Sequence, residues 1–191
     1  MIRALCKWIF KITGWKASSD VPPEIKKCII IGAPHTSNWD FWYCMATFKM
    51  YRLRIRFTIK KEWMRFPMSL LMKPLGGIGI DRSPRGPQNQ RPGFVEAMTE
   101  LFNNHESLII VVTPEGTRKR NDQWKTGFYH IAKAANVPIC MGYVDYKKKL
   151  TGITNPFYPD GYEKDMKMIM DFYKKITPKF PENFATDKNF D

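Results

Sequence analysis

Two short β-branched runs, Cys28 to Ile31 and Leu108 to Thr113, constrain this chain more than any other feature. Each is too short for a core helix and is bounded by turn residues, so each reads as a buried strand. The first stops at Gly32 and opens into Ala33-Pro34-His35-Thr36-Ser37-Asn38-Trp39-Asp40, a turn that leads into a helix from about Ser37 to Tyr51. Alternation over Ile55 to Ile59 predicts a second strand, Phe66 to Lys73 a short helix, and Ile78 to Ile80 a third strand ending at Asp81-Arg82. Ser83 to Gly93 is rich in Pro and Gly and reads as a loop. Helical spacing follows over Phe94 to Asn103 and Thr126 to Ala135, a strand over Val137 to Tyr146, and an amphipathic helix over Asp165 to Lys175. Strands alternating with helices define an α/β layered fold: one domain, with a mostly parallel central sheet flanked by helices.

With 191 residues, 43% of them apolar, a single core suffices without staples. Cys6, Cys28, Cys44 and Cys140 are too widely spaced for a Cys-x-x-Cys or zinc pattern, which fits a reduced, cytosolic chain with no metal. The net charge of +13 is uneven, because residues 1–82 hold 15 of the 31 basic side chains but only 5 of the 18 acidic ones. An anionic partner is expected for the N-terminal half: nucleic acid, a phosphorylated ligand or an acidic membrane surface. No apolar stretch is long enough to span a bilayer, and Lys7 and Lys11 interrupt the apolar region a signal peptide would need.

Residues 2–12 fit an amphipathic helix that precedes the domain and ends near Gly14. Ile2, Leu5, Cys6, Trp8, Ile9, Phe10 and Ile12 share a broad face, opposite Arg3, Lys7 and Lys11. Two roles are open to it and are compatible. It packs on the domain as a surface helix, or it lies in an anionic membrane interface with Leu5, Trp8, Ile9 and Phe10 immersed and Lys7 and Lys11 at the headgroups. The expected division is an amphipathic helix over 1–16, membrane-docking in the second of these roles, and a single domain over 17–191.

Three polar clusters fall at predicted strand ends, where open α/β sheets gather ligands. They are His35 to Asp40, Asp81-Arg82, and Pro114-Glu115-Gly116-Thr117-Arg118. An imidazole beside a carboxylate makes a general base, the carboxylate fixing the tautomer and stabilising the imidazolium. The same residues also suit purely structural duties: His35 as a turn residue bonded to backbone, and Asp40 as a first-turn acid favoured by the helix dipole. Ser37 is either a nucleophile or, with no Gly-x-Ser-x-Gly elbow around it, the helix N-cap. Arg82 and Arg118 can clamp a phosphate or form solvated surface pairs. Glu115 beside them is expected to hold an arginine in place.

His35-Thr36-Ser37-Asn38-Trp39-Asp40, Gly76-Gly77-Ile78-Gly79-Ile80-Asp81-Arg82, Pro114-Glu115-Gly116-Thr117-Arg118 and Val137-Pro138-Ile139 resemble the four ordered blocks of the glycerolipid acyltransferase family, which includes 1-acylglycerol-3-phosphate acyltransferases. The resemblance spans about residues 28–145. It implies that His35 deprotonates a lysolipid hydroxyl for direct attack on an acyl thioester, with Asp40 orienting it and no acyl-enzyme. It further implies that Arg82, Glu115, Gly116, Thr117 and Arg118 bind the acceptor's phosphate, and that Val137 and Pro138 pack near the acyl chain. Acyl-CoA or acyl-carrier protein would be the donor substrate, with no cofactor. Backbone amides near the His35 turn are candidate oxyanion donors. The expected setting is peripheral, on the cytoplasmic face of an anionic membrane. A lipid or thioester hydrolase on the same scaffold is the alternative. A nucleic-acid binder fits the charge and the 14% aromatic content, but no recognisable RNA-binding or helix-turn-helix signature is present.

Overall fold

A computed structural model describes residues 2–80 and 93–191. Asp81, Arg82 and the expected loop from Ser83 lie outside the described residues. The chain runs α1 (Ile2–Thr13), β1 (Lys16–Ala17), β2 (Lys27–Gly32), α2 (Asn38–Met50), β3 (Ile55–Lys60), a 3-10 turn, α3 (Ser69–Leu75) and β4 (Gly77–Ile80). It continues with α4 (Phe94–Asn103), β5 (Leu108–Val112), α5 (Gly127–Ala134), β6 (Ile139–Asp145), β7 (Leu150–Ile153) and α6 (Tyr162–Tyr173). The strands form a seven-stranded sheet in the order β1-β7-β6-β2-β5-β3-β4, parallel throughout except for the β6–β7 pair.

The two apolar runs become the adjacent centre strands, with Cys28 opposite Ile109 and Ile31 opposite Val112. Alternate side chains of β2 serve opposite faces of the sheet. Ile29 and Ile31 join Ile110, Ile131 and Met166 in one core layer, while Cys28 and Ile30 join Phe48, Ile109 and Cys140 in the other. Both faces are covered, which is why the strand is continuously apolar. Burying each isoleucine contributes about 1.5–3 kcal/mol before ordering costs are set against it.

Connectivity fixes where a ligand can sit. From β2 the chain crosses one face through α2 to β3, on the far side of β5; from β5 it crosses the other face through α5 to β6, on the far side of β2. The exits of β2 and β5 therefore diverge, opening a crevice at the carboxyl ends of the two central strands.

Several elements depart from the expected boundaries. The short helix starts at Ser69 rather than Phe66, because a residue preceding proline, as Phe66 does, is pushed away from helical geometry. It ends at Gly76 with φ 97°, where a Cβ would stand 2.5 Å from the Ile55 carbonyl oxygen, so only glycine fits. Nothing in the sequence pattern predicts β1 and β7. β1 is two residues long, and the Lys147-Lys148-Lys149 run before β7 reads as solvated surface.

Helix α1 packs on α2 but does not immerse all the expected side chains. Phe10 is only 5% exposed, turned inward with Cys6 against Trp15, Tyr43 and Met50, so it has no access to a membrane. At about 100° per residue, Cys6 and Phe10 lie at one edge of the apolar arc, and that edge alone is covered. Ile2, Leu5, Trp8, Ile9 and Ile12 remain exposed, as do Lys7 and Lys11. Among the described residues no helix is long and apolar enough to cross a membrane.

Candidate active site

The turn after β2 is built around Asp40. Ser37 caps α2, its hydroxyl accepting from the Trp39 amide at 3.2 Å. Asp40 completes the capping box: its Oδ2 accepts from the Ser37 and Thr36 amides at 2.8 and 2.9 Å. Such a cap is typically worth about 1 kcal/mol. The same Oδ2 faces His35 Nδ1 at 3.6 Å, and Oδ1 accepts from the Tyr146 hydroxyl at 2.7 Å. The capping duty expected of Asp40 is thus met, and the same carboxylate faces His35. Ser37 takes the capping position, and it does not line the neighbouring cavity. A 3.6 Å separation is longer than a formed hydrogen bond, as is common for catalytic pairs without substrate. Burial, then the hydrogen bond to Asp40, holds the Tyr146 phenol well above its ordinary value, so it stays a donor.

The turn after β5 comes up beside it. Gly116 adopts φ 68°, and its amide donates to the Thr113 carbonyl at 3.1 Å. Glu115 occupies a place unlike the one expected. It is 2% exposed, and its Oε1 accepts from the His35 amide at 2.9 Å. No arginine partner holds it among the described residues, and it does not line the neighbouring cavity. Its carboxylate therefore ties the two turns together rather than meeting a phosphate. Thr117 is likewise absent from the cavity wall, its hydroxyl accepting from the Lys119 amide at 3.2 Å.

Burial, reinforced by the negative charge of Asp40 and opposed by the His35 amide, pushes Glu115 from about 4.5 up to about 7. A folded-state value above the unfolded one means that the native protein binds the proton more tightly. The stability this supplies is complete below about pH 4.5 and is lost as pH rises through about 7. Each tenfold difference in proton affinity between the folded and unfolded chain is worth about 1.4 kcal/mol, so the loss comes to about 3 kcal/mol. Glu115→Gln keeps an acceptor for His35 without the charge, so its urea-unfolding free energy is expected to fall less between about pH 5 and pH 7.5 than that of the wild type. Equal slopes would remove Glu115 as the source.

Between the two turns and α2 lies a cavity of about 790 Å³, within the size range of small-molecule sites. His35, Asp40, Arg118 and Lys125 supply its polar wall, and Phe41, Met45, Phe48, Ile55 and Phe57 much of its apolar one. Lys125 is a site residue that sequence reasoning misses. Its side chain lies over Gly116, where a Cβ would stand 3.1 Å from Cε and Nζ. Gly116 is favoured there by its positive φ, while the lysine end above it could shift by the few tenths of an ångström a Cβ would require. The signal in the sequence is a lone Lys just before the helix predicted from Thr126, which composition does not distinguish from a solvated lysine.

Val137 and Pro138 are buried but lie at the amino end of β6, in the main core, with the Pro138 carbonyl accepting from the Ile29 amide at 3.0 Å. The cavity touches β6 at Gly142, Tyr143 and Val144, about 13 Å along the strand at 3.3 Å per residue. They therefore do not pack beside this cavity, contrary to the acyl-side place that the resemblance implied. The amides near His35 are not free for an oxyanion either: those of His35, Thr36, Ser37 and Trp39 are committed to Glu115, Asp40 and Ser37. Segment 180–188 closes the periphery, with the Phe180 amide donating to the Thr36 hydroxyl at 3.3 Å and the Trp124 amide to Asp187 at 2.9 Å.

The His35–Asp40 pair thus stands beside an apolar cavity at the switch point of a parallel sheet. A family model described as acyltransferase matches residues 16–142, and the chain belongs to that family. Among solved structures it is similar to the crystal structure of PlsC, the 1-acyl-sn-glycerophosphate acyltransferase of Thermotoga maritima. The TM-score is 0.57 at 17% identity, covering 91% of this chain and 76% of that one. Comparison with curated protein sequences gives no match.

Proposed function

We propose that this acyltransferase moves a fatty acyl group from an acyl thioester, acyl-CoA or acyl-carrier protein, to the hydroxyl of a lysophospholipid, 1-acylglycerol-3-phosphate first among them. The observation that carries this is the His35–Asp40 pair set in one cavity with an apolar wall and two cationic side chains, Arg118 and Lys125. With Nδ1 turned to Asp40, Nε2 of His35 takes the proton as the acceptor oxygen attacks the thioester carbonyl. Collapse of the tetrahedral intermediate breaks the C–S bond, and the departing thiolate recovers the proton from His35. Arg118 and Lys125, with Arg82, supply positive charge for the acceptor's phosphate and so hold its hydroxyl in line. Gly116 serves by letting the backbone turn beneath Lys125.

Docking is proposed through residues 1–16, at the cytoplasmic face of an anionic membrane. The exposed stripe Ile2, Leu5, Trp8, Ile9 and Ile12 enters the interface, Arg3, Lys7 and Lys11 meet the headgroups, and exposed Trp39 and Trp42 on α2 extend the apolar surface. Trp8→Ser is expected to weaken binding to phosphatidylglycerol-containing vesicles about 10-fold, the order of one buried aromatic side chain. Sedimentation measures this, and undiminished binding would exclude the helix as the anchor.

The test of function is thiol release from palmitoyl-CoA or palmitoyl-acyl-carrier protein in mixed micelles. It is run without acceptor, with lysophosphatidate, and with monoacylglycerol, which lacks the phosphate. Release that requires lysophosphatidate and yields phosphatidate supports the proposal. Acceptor-independent release identifies a hydrolase, and equal use of monoacylglycerol removes the phosphate clamp.

A further inference from the structure

We propose that Tyr146 is a positioning residue for acyl transfer, its hydroxyl fixing the Asp40 carboxylate so that the oxygen facing His35 cannot turn away. This role presupposes His35 as the base. Asp40 Oδ2 is held by the Thr36 and Ser37 amides and presented to His35. Oδ1 accepts from the Tyr146 hydroxyl at 2.7 Å, and among the described residues no other group bonds to it. The terminal torsion of an aspartate is broad; the two amides on Oδ2 restrain it from one side, and the Tyr146 hydroxyl on Oδ1 narrows it further from the other.

The anchor is itself rigid. Tyr146 follows β6 directly, and its amide donates to the Thr177 carbonyl at 2.9 Å. Its ring stands edge-on to Trp15 at 5.3 Å and to Tyr43 at 5.9 Å, and those two rings stack on each other at 3.8 Å. Phe10 packs on the same pair, at 6.4 Å from Trp15 and 6.0 Å from Tyr43. The hydroxyl is thus delivered from an aromatic box shared by α1, the segment after it, and α2. Tyr146 does not line the cavity, so it acts through Asp40 and not on substrate.

Tyr146→Phe removes the hydroxyl and keeps the ring in its box. Steady-state acyl transfer from palmitoyl-CoA to lysophosphatidate is expected to show kcat lowered about 10-fold, the weight of one charge-assisted hydrogen bond, with KM for both substrates unchanged. Thr47→Val is the control for stability alone. It breaks the buried Thr47–Thr151 hydroxyl contact of 3.2 Å elsewhere on α2 and is expected to lower Tm without lowering kcat. A Tyr146→Phe kcat within two-fold of wild type, or kcat and KM changing together, overturns the proposal. His35→Ala, assayed in parallel, separates the two levels: full activity in that variant removes the base itself, whereas its loss beside an unaffected Tyr146→Phe removes only the role of Tyr146.

Discussion

His35→Ala is expected to lower kcat for lysophosphatidate acylation by about 10²–10⁴-fold, the usual contribution of a positioned general base. The fold should survive it. The side chain of His35 is 22% exposed, and what locks its turn is not the imidazole but the backbone amide bonded to Glu115, which alanine retains. Tm is therefore expected to stay within a few degrees of the wild type, and KM for the acceptor to change little, since Arg118 and Lys125 remain. Stopped-time assays of phosphatidate formation with a parallel thermal melt measure both. Activity within three-fold of wild type in a folded variant would exclude His35 as the base and leave transfer to substrate positioning alone.

Asp40→Ala is expected to fail in two ways at once. Chemically it removes the group that orients His35, and for an aspartate in that role losses on the order of 10²–10⁴ in kcat are typical. Structurally it frees the Thr36 and Ser37 amides, opens the capping box of α2 and leaves the part-buried Tyr146 hydroxyl without its acceptor. The cap is worth about 1 kcal/mol, and an orphaned donor costs about 1 kcal/mol when part-buried, rising to about 3 kcal/mol as burial becomes complete. The summed loss of about 2–4 kcal/mol corresponds to roughly 5–15 °C in Tm for a domain of this size. The contrast with His35→Ala is the decisive feature. Two variants similarly poor in catalysis should differ by most of that interval in a melt, and equal melting temperatures would show that the cap bonds do not carry the turn.

The sheet was legible because its centre is written in local chemistry. β2 and β5 are continuous apolar runs, α2 is announced by Ser37 and Asp40 three residues apart, and each polar cluster directly follows a strand. His35, Asp40 and Arg118 could be singled out on that ground. What could not be read depends on partners distant in the chain. Tyr146 meets Asp40 from 106 residues away, and nothing near it in the sequence marks it. Glu115 sits among arginines in the sequence but reaches an amide 80 residues earlier, so its neighbours in the chain suggested the wrong partner. Phe10 shares an arc with Trp8 and Leu5 on any helical wheel; only the box formed by Trp15 and Tyr43 decides that it turns inward. Val137 and Pro138 form the fourth block and follow the third in sequence, yet the direction of β6 leaves them at the opposite end of the sheet.

The double employment of Asp40 has an evolutionary consequence. A descendant of this chain that abandons catalysis and survives as a binding protein can discard His35 at almost no cost to folding, but it cannot discard Asp40 without weakening the start of α2. Inactive relatives should therefore keep the aspartate and vary at the histidine. Within such a lineage, a retained Asp at this position is a mark of ancestry, and only the histidine reports whether the chemistry is still under selection.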